Sequence, residues 1–200
     1  MPKVKVPRKS TMVDMTAMTD VAFLLLTFFM LATKFKPDEP VTVNPPSSIS
    51  EILVPDVDMM TITIDKNNHV FFGMEGQQYR AEMIKKIGVA HNVKFTDSQI
   101  KEFSLLSTFG IPIAQLPQFL DMKSEERAKI QQPGIPSDSL NNELGDWIWN
   151  ARLSNNKVNI AIKGDQETQY PIVKRIMTTI QEKKLNRFYL ITNMERGDEK

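Results

Sequence analysis

One acidic side chain, Asp20, stands at the edge of the most apolar stretch of this 200-residue chain. It directly precedes Val21 to Ala32, twelve residues without a charge. On a helix, Thr16 and Thr27 fall on the same face as Asp20, because the offsets of four and seven residues are close to whole turns. An ionised Asp at bilayer depth costs about 2.5–3.5 kcal/mol, and a low dielectric favours its neutral form. The pattern therefore indicates a proton-binding carboxylate beside a polar stripe, or a polar pin that holds one helix against another.

The segment that positions this carboxylate has the length of a bilayer core. From Met12 to Ala32, a helix covers roughly 31 Å. A buried core helix is one alternative, but such a helix is rarely apolar on all sides so close to a basic N-terminus. A cleaved signal peptide is another, but acids lie in or beside the run and no small-x-small cleavage site follows. We therefore predict a retained transmembrane helix over residues 12–33.

The charges on the two sides of this helix predict its orientation. Residues 1–11 form a basic tail with four Lys or Arg side chains and no acid, whereas only Lys34 and Lys36 closely follow the span. Lys and Arg concentrate on the cytoplasmic side of a membrane. The tail is therefore expected in the cytoplasm, and the remaining chain across the membrane, which is the periplasm in a Gram-negative cell.

The rest of the chain predicts a linker and one folded domain. Residues 34–58 contain five of the twelve prolines, which favours an extended, semi-rigid linker. Alternating apolar residues predict strands, and an i, i+3, i+4, i+7 repeat predicts helices. Residues 59–195 then form a small α/β (α+β) domain with one sheet and helices on one face. Its predicted elements are a hairpin (Met60–Asp65 and His69–Phe72), a helix (Tyr79–Ala90), a strand (Val158–Ile162), a helix (Tyr170–Lys183) and a last strand (Phe188–Ile191).

A helical insert is expected at about residues 91–156. Thr96 and Gln99 form a capping-box pattern that opens a helix through Phe109. Ser124 can cap a second helix, and residues 138–153 predict a third. Both tryptophans lie in the third: Trp147 is expected in the core, and Trp149, on another face, as a partner contact.

Composition excludes several classes of function. The chain has no cysteine and a net charge of +1, so neither disulfides nor nucleic-acid binding is expected. His69 and His91 lack the spaced ligands of a metal site, and no glycine-rich phosphate loop is present. We therefore expect no metal, no cofactor and no enzymatic activity.

The span carries a recognisable pattern. The run DMTAMTDVAFLLLTFFM resembles the N-x-T-P-x-x-D-V motif and the Leu/Phe run of the ExbD/TolR family. The single intramembrane Asp of the family falls on Asp20, and its Thr falls on Thr16. Asp14 and Ala17 replace the usual Asn and Pro, which changes the entry of the helix but leaves the carboxylate in place. The order of elements in the soluble part is similar to the family as well, and together with the span the resemblance covers residues 12–90 and 157–192 but not the insert.

The resemblance implies a function. Members are proton-channel subunits in Gram-negative inner membranes, so Asp20 would bind protons beside an ExbB-type subunit. A homodimer would pass the motion to a TonB-type protein that energises outer-membrane transport. One alternative is a TolR-like subunit that binds peptidoglycan and maintains the envelope. Another, of a different class, is a passive membrane-tethered binding domain in which Asp20 only pins helices.

Overall fold

A computed structural model describes residues 15–32, 40–48, 57–127, 129–138, 141–185 and 187–194. The chain divides into two compact units, Met1–Pro37 and Asp38–Lys200. The predicted basic tail, Asp14 and most of the predicted linker lie outside the described residues.

The first unit contains one helix, α1, from Met15 to Ala32. Its 18 residues cover about 27 Å along the axis. The helix is long and apolar enough to cross a membrane, and none of its residues is buried. A core helix of a soluble protein would be buried, so its exposure favours a membrane segment over a core helix.

The second unit is built on a mixed five-stranded sheet. The spatial order of its strands is β4-β3-β2-β5-β6. Strands β2 and β3 are an antiparallel hairpin, β4 pairs antiparallel with β3, and β5 and β6 continue parallel to β2. The strands are β2 (Met59–Ile64), β3 (Val70–Met74), β4 (Thr108–Phe109), β5 (Asn159–Gly164) and β6 (Phe188–Ile191).

Helices and short elements complete this unit. A short parallel pair joins β1 (Ser47–Ser48) to β7 (Asn193–Met194). One turn of 3-10 helix covers Ile113–Gln115. The helices are α2 (Gln77–Ala90), α3 (Asp97–Leu105), α4 (Leu116–Asp121), α5 (Ser124–Arg127), α6 (Glu143–Ser154) and α7 (Tyr170–Glu182).

One face of the sheet carries the core. The register places Ile62 between Phe72 and Ile162, so the alternate residues of three strands point to the same side. These side chains share one buried cluster with Trp147 of α6 and Ile176 of α7. The prediction of a single-span α+β protein with helices packed on one sheet is therefore confirmed.

The predicted elements of the domain are present, with differences at their ends. The helix predicted through Phe109 ends at Leu105, because Thr108 and Phe109 pair with β3 as strand β4. The third insert helix begins at Glu143 rather than near residue 138. Asn142 caps its N-terminus by accepting a hydrogen bond from the Gly145 N–H at 3.1 Å. The insert is therefore not purely helical, since it also extends the sheet.

Candidate functional site

Asp20 is the only ionisable residue of α1. Its side chain is exposed, and within the described residues no hydrogen bond or ion pair reaches the carboxylate. A carboxylate in hydrocarbon must be neutral, or must be met by polar groups of a partner or by water. Helix α1 supplies neither a cation nor a side-chain donor that is bonded to Asp20, so this acid is available to outside groups.

A shallow groove of about 490 Å³ surrounds the carboxylate. Its walls include Thr16 and Thr19 as well as the apolar side chains of Met15 and Phe23. The Thr19 hydroxyl donates to the Met15 carbonyl at 2.7 Å, which leaves its oxygen able to accept a further hydrogen bond. Two hydroxyls therefore lie beside one carboxyl group in an otherwise apolar wall.

The two threonines predicted from the sequence are placed differently. Thr16 lines the groove with Asp20, whereas Thr27 does not. Seven residues correspond to about 10 Å along a helix, and the Thr27 hydroxyl donates to the Leu24 carbonyl at 2.9 Å. Thr19 was not predicted, because it is offset from Asp20 by about 100° around the helix and so lies outside the face that contains Asp20 and Thr16. Its position next to Asp20 in the sequence was the available signal.

Part of the predicted linker is fixed on the folded domain. Asp165, after β5, accepts backbone N–H groups from Asn44 at 2.9 Å and from Glu167 at 3.0 Å. These two hydrogen bonds lower the pKa of the Asp165 carboxyl below its usual range. The Gln166 N–H in turn donates to the Asn44 carbonyl at 3.0 Å, and Val43 is buried. Segment 41–46 is thus held by hydrogen bonds and by apolar packing.

The ring of each histidine contacts one carboxylate. His69 Nδ1 lies 3.1 Å from Asp65, which also accepts the His69 backbone N–H at 2.7 Å. His91 Nε2 lies 3.1 Å from Asp146. Among the described residues, no group of three His, Cys, Asp or Glu side chains could hold a metal ion. The contacts therefore serve the hairpin turn and the packing of α2 against α6.

The insert shares the core of the domain and closes one side of its sheet. Trp147 is fully buried against Phe72, Phe103 and Phe109, with ring centroids 4.7–6.3 Å apart, as predicted for this tryptophan. Strand β4 covers part of β3, and the Ile135 N–H donates to the β3 carbonyl of Val70 at 2.8 Å.

Comparison with known proteins gives one family. Residues 7–195 match the family described as Biopolymer transport protein ExbD/TolR, and this range includes α1, Asp20 and the predicted insert. No curated protein and no solved structure matches the chain. Because the match covers nearly the whole chain, the protein belongs to the ExbD/TolR family, whose members are non-enzymatic subunits of multi-subunit complexes that energise transport.

Proposed function

We propose that this protein is the proton-binding subunit of an inner-membrane complex that energises TonB-dependent outer-membrane transport. The observation that carries the proposal is Asp20, an exposed carboxylate on a membrane-length helix that no hydrogen bond or ion pair reaches within the described part of the chain. Membership of the ExbD/TolR family supports the same function.

The energetics of such a site match the driving force. Charging an Asp at bilayer depth costs about 2.5–3.5 kcal/mol, and one elementary charge that crosses 100 mV releases about 2.3 kcal/mol. The two terms are similar, so a membrane potential combined with a pH gradient can alternate the carboxyl between neutral and charged forms. The hydroxyls of Thr16 and Thr19 would orient the water or the partner group that delivers the proton.

The proposed topology joins this site to the folded domain. Helix α1 lies within a transmembrane segment at 12–33, with residues 1–11 in the cytoplasm and the domain of residues 59–195 in the periplasm. An ExbB-type subunit packs its helices around α1 in the membrane, and two copies of this chain act together. Segment 34–58 transmits the movement toward a TonB-type protein. The hydrogen bond from the Asn44 N–H to Asp165 connects this segment to the folded domain.

Replacement of Asp20 in a deletion strain tests the proposal. With Asp20→Asn, energy-dependent uptake is expected to be lost at normal membrane levels of the protein, because the amide cannot release a proton. Asp20→Glu should restore part of the uptake. Thr27→Val is the matched control, since Thr27 lies outside the groove and its hydroxyl bonds to its own helix.

Two results would assign a different function. Full uptake with Asp20→Asn would refute the proton site and leave a passive tether in which Asp20 pins helices. Normal uptake in the deletion strain, together with a leaky envelope that the wild-type gene repairs, would assign the TolR-like function. Co-purification then separates the two active functions: a TonB-type partner supports the first, and a peptidoglycan-bound fraction supports the second.

A further inference from the structure

The domain presents an unusual surface on α2 and α6, away from the core. Three apolar side chains there are largely exposed: Val89 at 82%, Leu153 at 53% and Trp149 at 45%. Val89 lines a groove together with Lys85 and Lys94. We name the five residues Lys85, Val89, Lys94, Trp149 and Leu153 the lysine–tryptophan face. Large apolar side chains that remain exposed together indicate a surface that another molecule covers.

Two contacts show that α2 and α6, the helices that carry the exposed apolar side chains, lie side by side. His91 at the end of α2 meets Asp146 in the first turn of α6, and Lys86 Nζ donates to the Leu153 carbonyl at the end of α6, at 2.8 Å. The two helices therefore run antiparallel and side by side. Their outward residues, Val89 on α2 and Trp149 on α6, consequently lie at similar heights along the helix axes.

A groove of about 660 Å³ lies beside Val89. Lys85 and Lys94 stand on its walls, and Val89, Phe95 and Ile100 supply apolar lining. A Cβ at Gly88 would lie 2.7 Å from the Val93 carbonyl oxygen, so glycine is needed for the loop to pack this closely. The groove combines two ammonium groups with an apolar floor, which suits a negatively charged group attached to a hydrocarbon chain.

The charges around this face favour an anionic partner. Glu82 is paired with Lys86 at 2.8 Å, and Asp146 is paired with His91 and lies 3.9 Å from Lys183. Within the described residues no ion pair reaches Lys85 or Lys94. Glu82 and Asp146 are thus each paired, and Lys85 and Lys94 are exposed to solvent.

We infer that the lysine–tryptophan face docks on an anionic lipid surface, with phosphate headgroups between Lys85 and Lys94. Trp149 and Leu153 would enter the headgroup boundary, where tryptophan is favoured. The inference rests on the proposed membrane anchor. Because the same chain carries α1, the face meets lipid as an intramolecular event, and a small apolar contact is sufficient.

The position of the two tryptophans makes this docking measurable in the full-length protein. The chain has only Trp147, which is fully buried, and Trp149. The protein would be reconstituted in vesicles of phosphatidylcholine, with or without phosphatidylglycerol, whose acyl chains carry bromine as a quencher of nearby tryptophan. We expect quenched emission in the anionic vesicles and little quenching in the neutral vesicles. Trp149→Phe is the control and should remove the quenched component.

Substitution of the lysines measures how much each of them contributes to docking. Each lysine near an anionic surface contributes enough to change the ratio of docked to undocked protein about fivefold, the equivalent of about 1 kcal/mol. Lys85→Gln and Lys94→Gln should each reduce that ratio accordingly, whereas Lys174→Gln, on the exposed side of α7, should leave it unchanged.

The outcomes separate this inference from the proposed function. Protein that floats with the vesicles but shows no quenching of Trp149 would overturn the docking and leave the proton site untouched. Equal quenching in both lipids would do the same. Emission that is insensitive to bromine but changes with the protein-to-lipid ratio would assign the face to a second copy of the chain. Protein that fails to float with the vesicles would overturn both the anchor and the docking. Asp20→Asn should quench like the wild type, since docking does not require the proton site.

Discussion

Trp147→Ala should reveal the insert as part of the domain core. The indole is fully buried and stacks on Phe103 at 5.7 Å with an interplanar angle of 18°. It also meets the Phe109 ring edge-to-face at 4.7 Å and Phe72 at 6.3 Å. One side chain therefore connects α6 with α3, β4 and β3.

The size of the loss follows from this packing. Removal of a buried aromatic side chain costs about 3–5 kcal/mol when the cavity cannot collapse. A domain with a free energy of unfolding of about 5–15 kcal/mol loses a large part of its stability in this way. The corresponding fall in Tm is roughly 6–20 °C at about 2–4 °C per kcal/mol for a domain of this size. Trp147→Phe should cost much less, because it keeps a ring and removes an indole N–H that has no partner among the described residues.

Calorimetry of the full-length protein in detergent would measure this loss as the Tm of the folded domain. Trp149→Ala is the matched control, since the same chemical change is made two residues away on a side chain that is 45% exposed. A fall in Tm of similar size for both alanine variants would refute the assignment of Trp147 to a shared core. An unchanged Tm for Trp147→Ala would mean that the insert unfolds separately.

Two further predictions concern the packing of the domain. The pKa of Asp165 is lowered in the folded protein, so its hydrogen bond from the Asn44 N–H is fully present above its ordinary pKa and is lost as pH falls through the lowered value. Protection of the Asn44 amide against hydrogen exchange should fall in that acid range, whereas Asp165→Asn should have low protection at neutral pH and little acid dependence; wild-type protection that persists through acid pH would contradict the assignment. Gly110→Ala should lower the free energy of unfolding by about 1–3 kcal/mol in a denaturant titration, because the new Cβ would overlap with the Phe71 ring. Gly164→Ala meets no atom within 4 Å and is the control; equal losses would show that the contact with Phe71 is unimportant.

Local patterns predicted much of this fold because its strands and helices bury one face each. The alternation at Met60 to Asp65 corresponds to β2, and the apolar repeat of α7 begins at Tyr170 as expected. The capping box at Thr96 and Gln99 is formed in the structure, with both reciprocal hydrogen bonds. In each case the signal and the contact lie within a few residues of one another.

Local sequence patterns could not predict the contacts between distant parts of the chain. Strand β4 pairs Phe109 with Phe72 across the sheet, and this pairing ends the helical pattern that precedes it. The bond from Asn44 to Asp165 joins residues 121 positions apart. At the candidate site, the periodicity identified Asp20 and Thr16, but the groove includes Thr19 because a helix presents neighbouring faces to the same cleft.

Proton flux through the reconstituted complex tests the central claim most directly. The protein would be placed in vesicles with an ExbB-type partner. An imposed membrane potential would drive protons into the vesicles, where an enclosed pH-sensitive dye would report their entry. We predict flux with the wild type and with Thr27→Val, and loss of flux with Asp20→Asn at equal incorporation. Undiminished flux with Asp20→Asn would contradict the assignment of Asp20 as the proton-binding group.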